Sequence, residues 1–103
     1  MTFGLKEEQK EDILTVFKNE NKINEVVIFG SRAKGNYKPG SDIDLALKGS
    51  LDLNDLLKLY NKLDDINLPY KFDLIIYEQI KDKDVIEHIK RVGISLFKRN
   101  GND

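Results

Sequence analysis

Residues 26–35 read VVIFGSRAKG, an apolar run that stops abruptly at a glycine. Its first four residues are uniformly apolar and mostly β-branched, which is typical of a strand covered on both faces. Gly30-Ser31 then opens a short helical turn that extends to Gly35, and Ser31 is placed to cap it. The stretch therefore predicts a buried strand that leads directly into a Gly-Ser turn.

The next predicted strand, residues 42–47, alternates strictly between two kinds of side chain. Residues two apart in a strand project from the same face, about 6.5 to 7 Å apart along the backbone. Asp42 and Asp44 therefore present two carboxylates to one spot. The opposite side carries the apolar residues Ile43, Leu45 and Leu47.

A third predicted strand, residues 72–77, carries a single acid, Asp73, in an otherwise apolar run. If this strand lies beside the second at the usual spacing of about 4.8 Å, Asp73 joins Asp42 and Asp44. Two such charges about 5 Å apart repel by about 3 kcal/mol at an effective dielectric of about 20. Mg²⁺ prefers carboxylate oxygen and would relieve this repulsion. The three acids therefore predict a site for two Mg²⁺ ions that supports phosphoryl-type transfer.

Three helices and a last strand are predicted around these strands. Apolar residues at helical spacing indicate helices at about 6–20, 54–65 and 84–91. The second helix is expected to pack a leucine face on the sheet, with Leu53 and Leu57 in that face. Residues 94–97 predict a final strand, and a frayed tail is expected from about residue 100. The 103 residues suffice for one modest core, so residues 1–103 are predicted to form a single domain.

The composition excludes several classes of function. The 17 basic and 18 acidic residues leave a formal charge of −1, so nothing indicates binding to long nucleic acid or to an anionic membrane. Without cysteine the chain has no disulfide, thiolate zinc site or cysteine nucleophile, and a metal would need oxygen ligands. No segment reads as a signal peptide or reaches membrane-spanning length, so the protein is expected to be cytoplasmic.

The Gly-Ser turn stands where phosphoryl chemistry needs a phosphate cradle. Glycine lets the backbone approach a ligand closely, and the start of the following helix offers free N–H groups. Arg32, Lys34 and Lys38 follow within a few residues, and each could contact triphosphate oxygens.

Each of these features also has a purely structural interpretation. The Gly-Ser pair can be only a strand-to-helix turn, and the acids can be ordinary solvent-facing strand positions. His88, the single histidine, is predicted to be a solvated residue on a charged helix face. Tyr37 either packs locally in its loop or stacks on a nucleotide, and the sequence leaves both roles open.

Three segments follow one another in a set order: VIFGSRAKG at 27–35, SDIDL at 41–45 and FDL at 72–74. Together they resemble the motifs of the minimal nucleotidyltransferases within the polymerase-β-like superfamily. The resemblance spans about residues 26–77. It implies a polymerase-β-like nucleotidyltransferase fold of the α/β (α+β) class, a mixed three- to four-stranded sheet with helices packed mainly on one face.

The resemblance also implies roles for individual residues. In that family the Gly-Ser pair holds the triphosphate and three acids bind two Mg²⁺ ions. The corresponding residues of this chain are Gly30, Ser31, Asp42, Asp44 and Asp73. The third acid, Asp73, would assist deprotonation of the attacking hydroxyl. The implied reaction transfers a nucleotidyl group, AMP from ATP, to a hydroxyl acceptor.

The acceptor that the resemblance implies is another protein. No additional helical domain is present to orient an acceptor, and stand-alone members of this size are commonly paired with a HEPN-domain toxin that they adenylylate. A HEPN partner in a toxin–antitoxin system is therefore expected, with a homo- or hetero-oligomer allowed. Two alternatives stay open: a non-catalytic module that neutralises its partner by occlusion, and a nucleotidyltransferase that acts on a small molecule such as an aminoglycoside.

Overall fold

Four α-helices and four strands make up residues 2–99, the part of the chain that the computed structural model describes. The helices are α1 (Glu7–Lys18), α2 (Gly30–Lys34), α3 (Leu53–Asp65) and α4 (Lys83–Val92). The strands are β1 (Ile23–Phe29), β2 (Ile43–Gly49), β3 (Phe72–Ile76) and β4 (Ile94–Lys98). A 3₁₀ turn, Tyr77–Gln79, follows β3 and was not predicted. The tail predicted from about residue 100 lies outside the described residues.

The sheet is mixed, with strand order β3-β2-β1-β4. Strand β1 is antiparallel to both β2 and β4, whereas β2 is parallel to β3. The parallel pair is connected through α3, because parallel neighbours need a crossover rather than a hairpin. The predicted fold class is confirmed, and the condition placed on the three-acid site, that the third strand lies beside the second, is met.

One face of the sheet carries the main hydrophobic core, beneath α1 and α3. Phe17 of α1 and Leu59 of α3 are almost completely buried against it. Burying an apolar side chain of this size contributes about 1.5 to 3 kcal/mol, so this face supplies most of the packing energy. The strand residues that form it are Ile23, Val26, Ile28, Ile43, Leu45, Leu47, Leu74 and Ile76.

The opposite face holds a smaller core under α4. Ile89 and Val85 of this helix pack on Val27 of β1 and Ala46 of β2. Two long helices thus lie on one face and α4 alone on the other, which confirms the predicted asymmetry. The alternation that points Ala46 towards α4 also points Asp44 towards this less covered face. No helix within residues 2–99 is long and apolar enough to cross a membrane.

The predicted leucine face of α3 is wrong at two positions. Leu53 and Leu57 are 67% and 52% exposed. The residues that α3 buries recur every four positions instead: Asp55, Leu59 and Leu63. Asp55 takes an inward position because its carboxylate accepts hydrogen bonds from Lys22 Nζ at 3.1 Å and from the backbone N–H of Asp52 at 3.0 Å. These hydrogen bonds of Asp55 fix which face of α3 packs on the sheet. The spacing of apolar residues alone does not reveal that face.

Candidate active site

Strands β2 and β3 bring two of the predicted site acids side by side. Asp44 and Asp73 are direct partners in the parallel register. Parallel neighbours at the same register position project from the same face of a sheet. Asp42 lies just before β2. The pairing of Asp44 with Asp73, one part of the predicted meeting of three acids, is therefore present in the fold.

The carboxyl group of Asp44 is in an environment that disfavours its charge. Partial burial raises the pKa of Asp44 above its usual value, and the negative charges of Asp73 and Asp42 raise the pKa further. His88 acts in the opposite direction on the same pKa. The carboxylates are thus close enough to repel one another, and a cation between them would relieve that repulsion.

Gly30 is required at the end of β1 because Asp44 occupies the space that a side chain would fill. A Cβ atom built at residue 30 would collide with Oδ2 of Asp44. The backbone of Gly30 is also left-handed, with φ of +75°, a conformation that disfavours other residues. Phe29, the residue before it, is the register partner of Asp44 in β1 and β2. The Gly-Ser turn and the acid therefore form one continuous site.

Ser31 lies within α2 rather than at its cap. The helix begins at Gly30, the cap position is occupied by Phe29, and no side chain caps it. The predicted capping role of Ser31 is therefore wrong. Its carbonyl oxygen accepts a hydrogen bond from the N–H of Gly35 at 2.9 Å, which closes this short helix.

Arg32 is held by the protein itself. The side chain is 1% exposed, and its guanidinium donates to the carbonyl oxygen of Ser41 at 2.8 and 3.1 Å and to that of Phe3 at 2.8 Å. The structure does not bring Arg32 into the open site, so the predicted contact with triphosphate oxygens is not supported. Arg32 instead fixes the segment that leads directly into Asp42.

Two aromatic rings complete the surroundings of this guanidinium. The ring centroids of Tyr37 and Tyr70 lie 5.4 and 4.9 Å from Arg32 Cζ, within the range of cation–π attraction. Tyr37 thus packs locally, one of the two roles that the sequence left open. Lys34 and Lys38 are exposed, so their ammonium groups remain available to a ligand.

His88 is the residue of this region that the sequence placed wrongly. It is half-buried rather than solvated, and its ring meets the ring of Phe29 edge-on, with centroids 6.2 Å apart and planes at 82°. The sequence did contain a signal for the partial burial of His88. His88 follows Val85 by three residues, so the two share a face of α4, and Val85 belongs to its apolar stripe.

The acids have the donor chemistry of a Mg²⁺ site without forming a complete cage. Within residues 2–99, no three histidine, aspartate or glutamate side chains are close enough together to coordinate one ion. That geometry fits Mg²⁺, which is usually held by one or two carboxylates and completed by waters and substrate phosphates. Asp44 and Asp73 are the pair of carboxylates that would hold it in this arrangement, with Asp42, just before β2, as the third predicted ligand.

A mixed sheet whose acids meet beside a Gly-Ser turn is the arrangement of a nucleotidyl-transferring enzyme. The sequence matches the family described as Polymerase beta, Nucleotidyltransferase over residues 11–102. Because this match covers most of the chain, the protein belongs to that family of nucleotidyltransferases. The family predicted from the three motifs is confirmed.

Two proteins of Methanocaldococcus jannaschii are similar in sequence. MJ0141, which carries the provisional name of a protein adenylyltransferase, is 29% identical over 93 residues, or 86% of this chain and 92% of its own length. MJ0604, with the same provisional name, is 37% identical over 46 residues, or 45% of this chain and 46% of its own length.

Solved structures of toxin–antitoxin complexes contain the same fold. A chain from one such complex with AMP-PNP has a TM-score of 0.73 and 22% identity, over 90% of this chain and 76% of that one. A chain from the complex of a tri-AMPylated Shewanella oneidensis HEPN toxin with an MNT antitoxin has a TM-score of 0.66 and 20% identity, over 92% and 74%. At these identities the likeness establishes the fold alone.

Proposed function

We propose that this chain transfers AMP from ATP to a hydroxyl group of a HEPN-domain partner protein, in a Mg²⁺-dependent reaction. The proposal is carried by the pairing of Asp44 with Asp73 beside Gly30. The provisional names of the Methanocaldococcus relatives support protein adenylylation. The complexes with AMP-PNP and with an AMPylated HEPN toxin support the nucleotide and the partner.

The nucleotide is held at the start of α2. Backbone N–H groups of Gly30 and Ser31 face the phosphates, since only a glycine leaves room for a close approach there. Lys34, exposed on the same short helix, adds a positive charge. Asp42, Asp44 and Asp73 would hold Mg²⁺, which would supply Lewis-acid polarisation of the phosphoryl oxygens and of the attacking hydroxyl.

The transfer forms one P–O bond and breaks another. The acceptor hydroxyl oxygen attacks the α-phosphorus in line with the bond to the bridging oxygen of the β-phosphate. That bond breaks, AMP stays on the acceptor and pyrophosphate leaves. Asp73 takes the hydroxyl proton. Its place suits this role, because β3 is an edge strand and Asp73 is exposed, so the partner can reach it from outside the sheet.

Incubation of the chain with labelled ATP, Mg²⁺ and a HEPN-domain protein from a neighbouring gene of the same genome tests the proposal. Wild type is expected to label the HEPN protein, and an Asp42→Asn/Asp44→Asn double variant to leave it unlabelled while still folding. The matched control is Asp64→Asn/Asp65→Asn, which removes two exposed acids from α3 and should label at the wild-type rate. No label transferred by wild type would contradict the proposal.

The same variants separate the alternatives. A non-catalytic module would silence its partner equally well after Asp42→Asn/Asp44→Asn, because occlusion does not need the acids. An enzyme acting on a small molecule would label an aminoglycoside and leave the HEPN protein unlabelled. Loss of both labelling and partner silencing in the double variant is the result that the proposed transferase predicts.

A further inference from the structure

We infer that His88 is a nucleotide-binding residue that donates a hydrogen bond to the β- or γ-phosphate of the triphosphate. The inference rests on the proposed function and adds to its site a residue from α4, an element outside the three sequence motifs. It assigns a role to the single histidine of the chain.

The position of the His88 ring is set by packing. It meets Phe29 edge-on, with ring centroids 6.2 Å apart. Phe29 directly precedes Gly30, so the imidazole is held beside the turn proposed to bind the phosphates. The helix itself is anchored on the sheet by Val85 and Ile89. The ring is therefore presented from a fixed backbone, as a preorganised ligand contact requires.

The nitrogen atoms of His88 are available to a ligand. Neither ring nitrogen of His88 forms a hydrogen bond with a protein group. Within residues 2–99 every buried side-chain nitrogen has a hydrogen-bond partner, so the two ring nitrogens of His88 are not buried and reach solvent. The ion pairs of the described chain join Lys22 to Asp55 and Lys48 to Glu25, not His88 to Asp44. The packed side of the ring is thus apolar and its polar edge is free.

The chemistry of the ring favours a phosphate over the metal as its partner. Mg²⁺ takes oxygen ligands, so an imidazole is a poor ligand for it. An imidazole always has at least one N–H donor, and a hydrogen bond to a charged phosphate oxygen is among the stronger kinds. A triphosphate running from Gly30 past α4 would meet this donor.

Calorimetric titration with AMP-PNP and with AMP, both with Mg²⁺, tests the assignment. His88→Phe keeps the ring packing on Phe29 and removes both nitrogens. It is expected to weaken AMP-PNP binding by about tenfold or more, the loss typical of one hydrogen bond to a charged group, and to leave AMP binding unchanged. His88→Gln retains an N–H donor and should restore part of the affinity. Glu87→Ala, an exposed neighbour on α4, should bind both nucleotides as wild type does.

Two results would overturn the inference: His88→Phe binding AMP-PNP as tightly as wild type, or weakening AMP and AMP-PNP equally, which indicates only a structural role. Failure of the nucleotide-binding part of the proposed function looks different, because wild type itself would then bind neither nucleotide. Melting temperatures of the variants accompany the titrations, so that loss of folding is not read as loss of a contact.

Discussion

Asp44→Asn is expected to abolish nucleotidyl transfer while making the metal-free protein more stable. The variant keeps the size of the side chain and removes the charge that holds the cation. Metal ions contribute several kcal/mol of transition-state stabilisation, and each 1.36 kcal/mol is a factor of ten in rate, so we expect a loss of about a thousandfold or more. Transfer of labelled AMP to the partner protein measures this effect.

The gain in stability follows from the raised pKa of Asp44. Partial burial, then Asp73 and Asp42, disfavour the ionised carboxylate in the folded state. An acid whose pKa is raised in the folded state favours folding fully at low pH, where it is protonated. This contribution to the free energy of unfolding is lost as the pH rises through the folded-state pKa. Asparagine is neutral throughout, so the variant should match wild type near about pH 3 and exceed it at neutral pH.

Denaturant unfolding at both pH values, with and without Mg²⁺, checks this result. Saturating Mg²⁺ with nucleotide should reverse the order, because it stabilises only the protein that binds it. Asp64→Asn, on the exposed side of α3, is the matched control and should change neither transfer nor the stability profile. A variant that is less stable than wild type at neutral pH without metal would contradict the account of this site.

Arg32→Ala is expected to produce the largest loss of stability. Truncation leaves the carbonyl oxygens of Ser41 and Phe3 without their donor and opens a cavity beside Tyr37 and Tyr70. Each buried acceptor left without a partner costs about 1 to 3 kcal/mol, so the free energy of unfolding should fall by about 3 kcal/mol or more. Denaturant unfolding measures the change.

Lys34→Ala supplies the contrasting control, two residues away in α2. Its side chain is exposed, so the free energy of unfolding should stay within about 0.5 kcal/mol of wild type. Binding of AMP-PNP should weaken instead, because a positive charge beside the phosphates is lost. An Arg32→Ala variant that is as stable as wild type but fails to bind nucleotide would contradict this account and would indicate that Arg32 contacts the nucleotide.

Much of this fold could be predicted from the sequence, because the residues of its strands show clear patterns of apolar and polar side chains. The alternation around Asp44 places the acids and the apolar residues of β2 on opposite faces, and the short, β-branched apolar run before Gly30 is typical of a covered strand. Pairing of β2 with β3 was a conditional expectation. Whether β2 and β3 are neighbours depends on the path of the connection through α3, and no local sequence pattern specifies that path.

Three of the differences between sequence and structure share one physical cause, which is that the charge of a residue or of its neighbours does not reveal whether it is buried. Arg32 was assigned to the nucleotide by its residue type, yet two carbonyl groups and two aromatic rings compensate for its burial. The inward position of Asp55 is compensated in the same way, by hydrogen bonds from Lys22 and from a backbone N–H, and it changes which face of α3 packs on the sheet. His88 was judged by its charged neighbours in sequence, although its helix face was shared with Val85.

A crystal structure of the chain with Mn²⁺ and AMP-PNP, with the metal located by anomalous scattering, tests most directly whether the three acids form a metal site. The account predicts metal density about 2.1 Å from carboxylate oxygens of Asp42 and Asp44, shared with the phosphates beside Gly30, and Asp73 turned towards it. Metal bound to the phosphates alone, with Asp44 and Asp73 directed away, would contradict it.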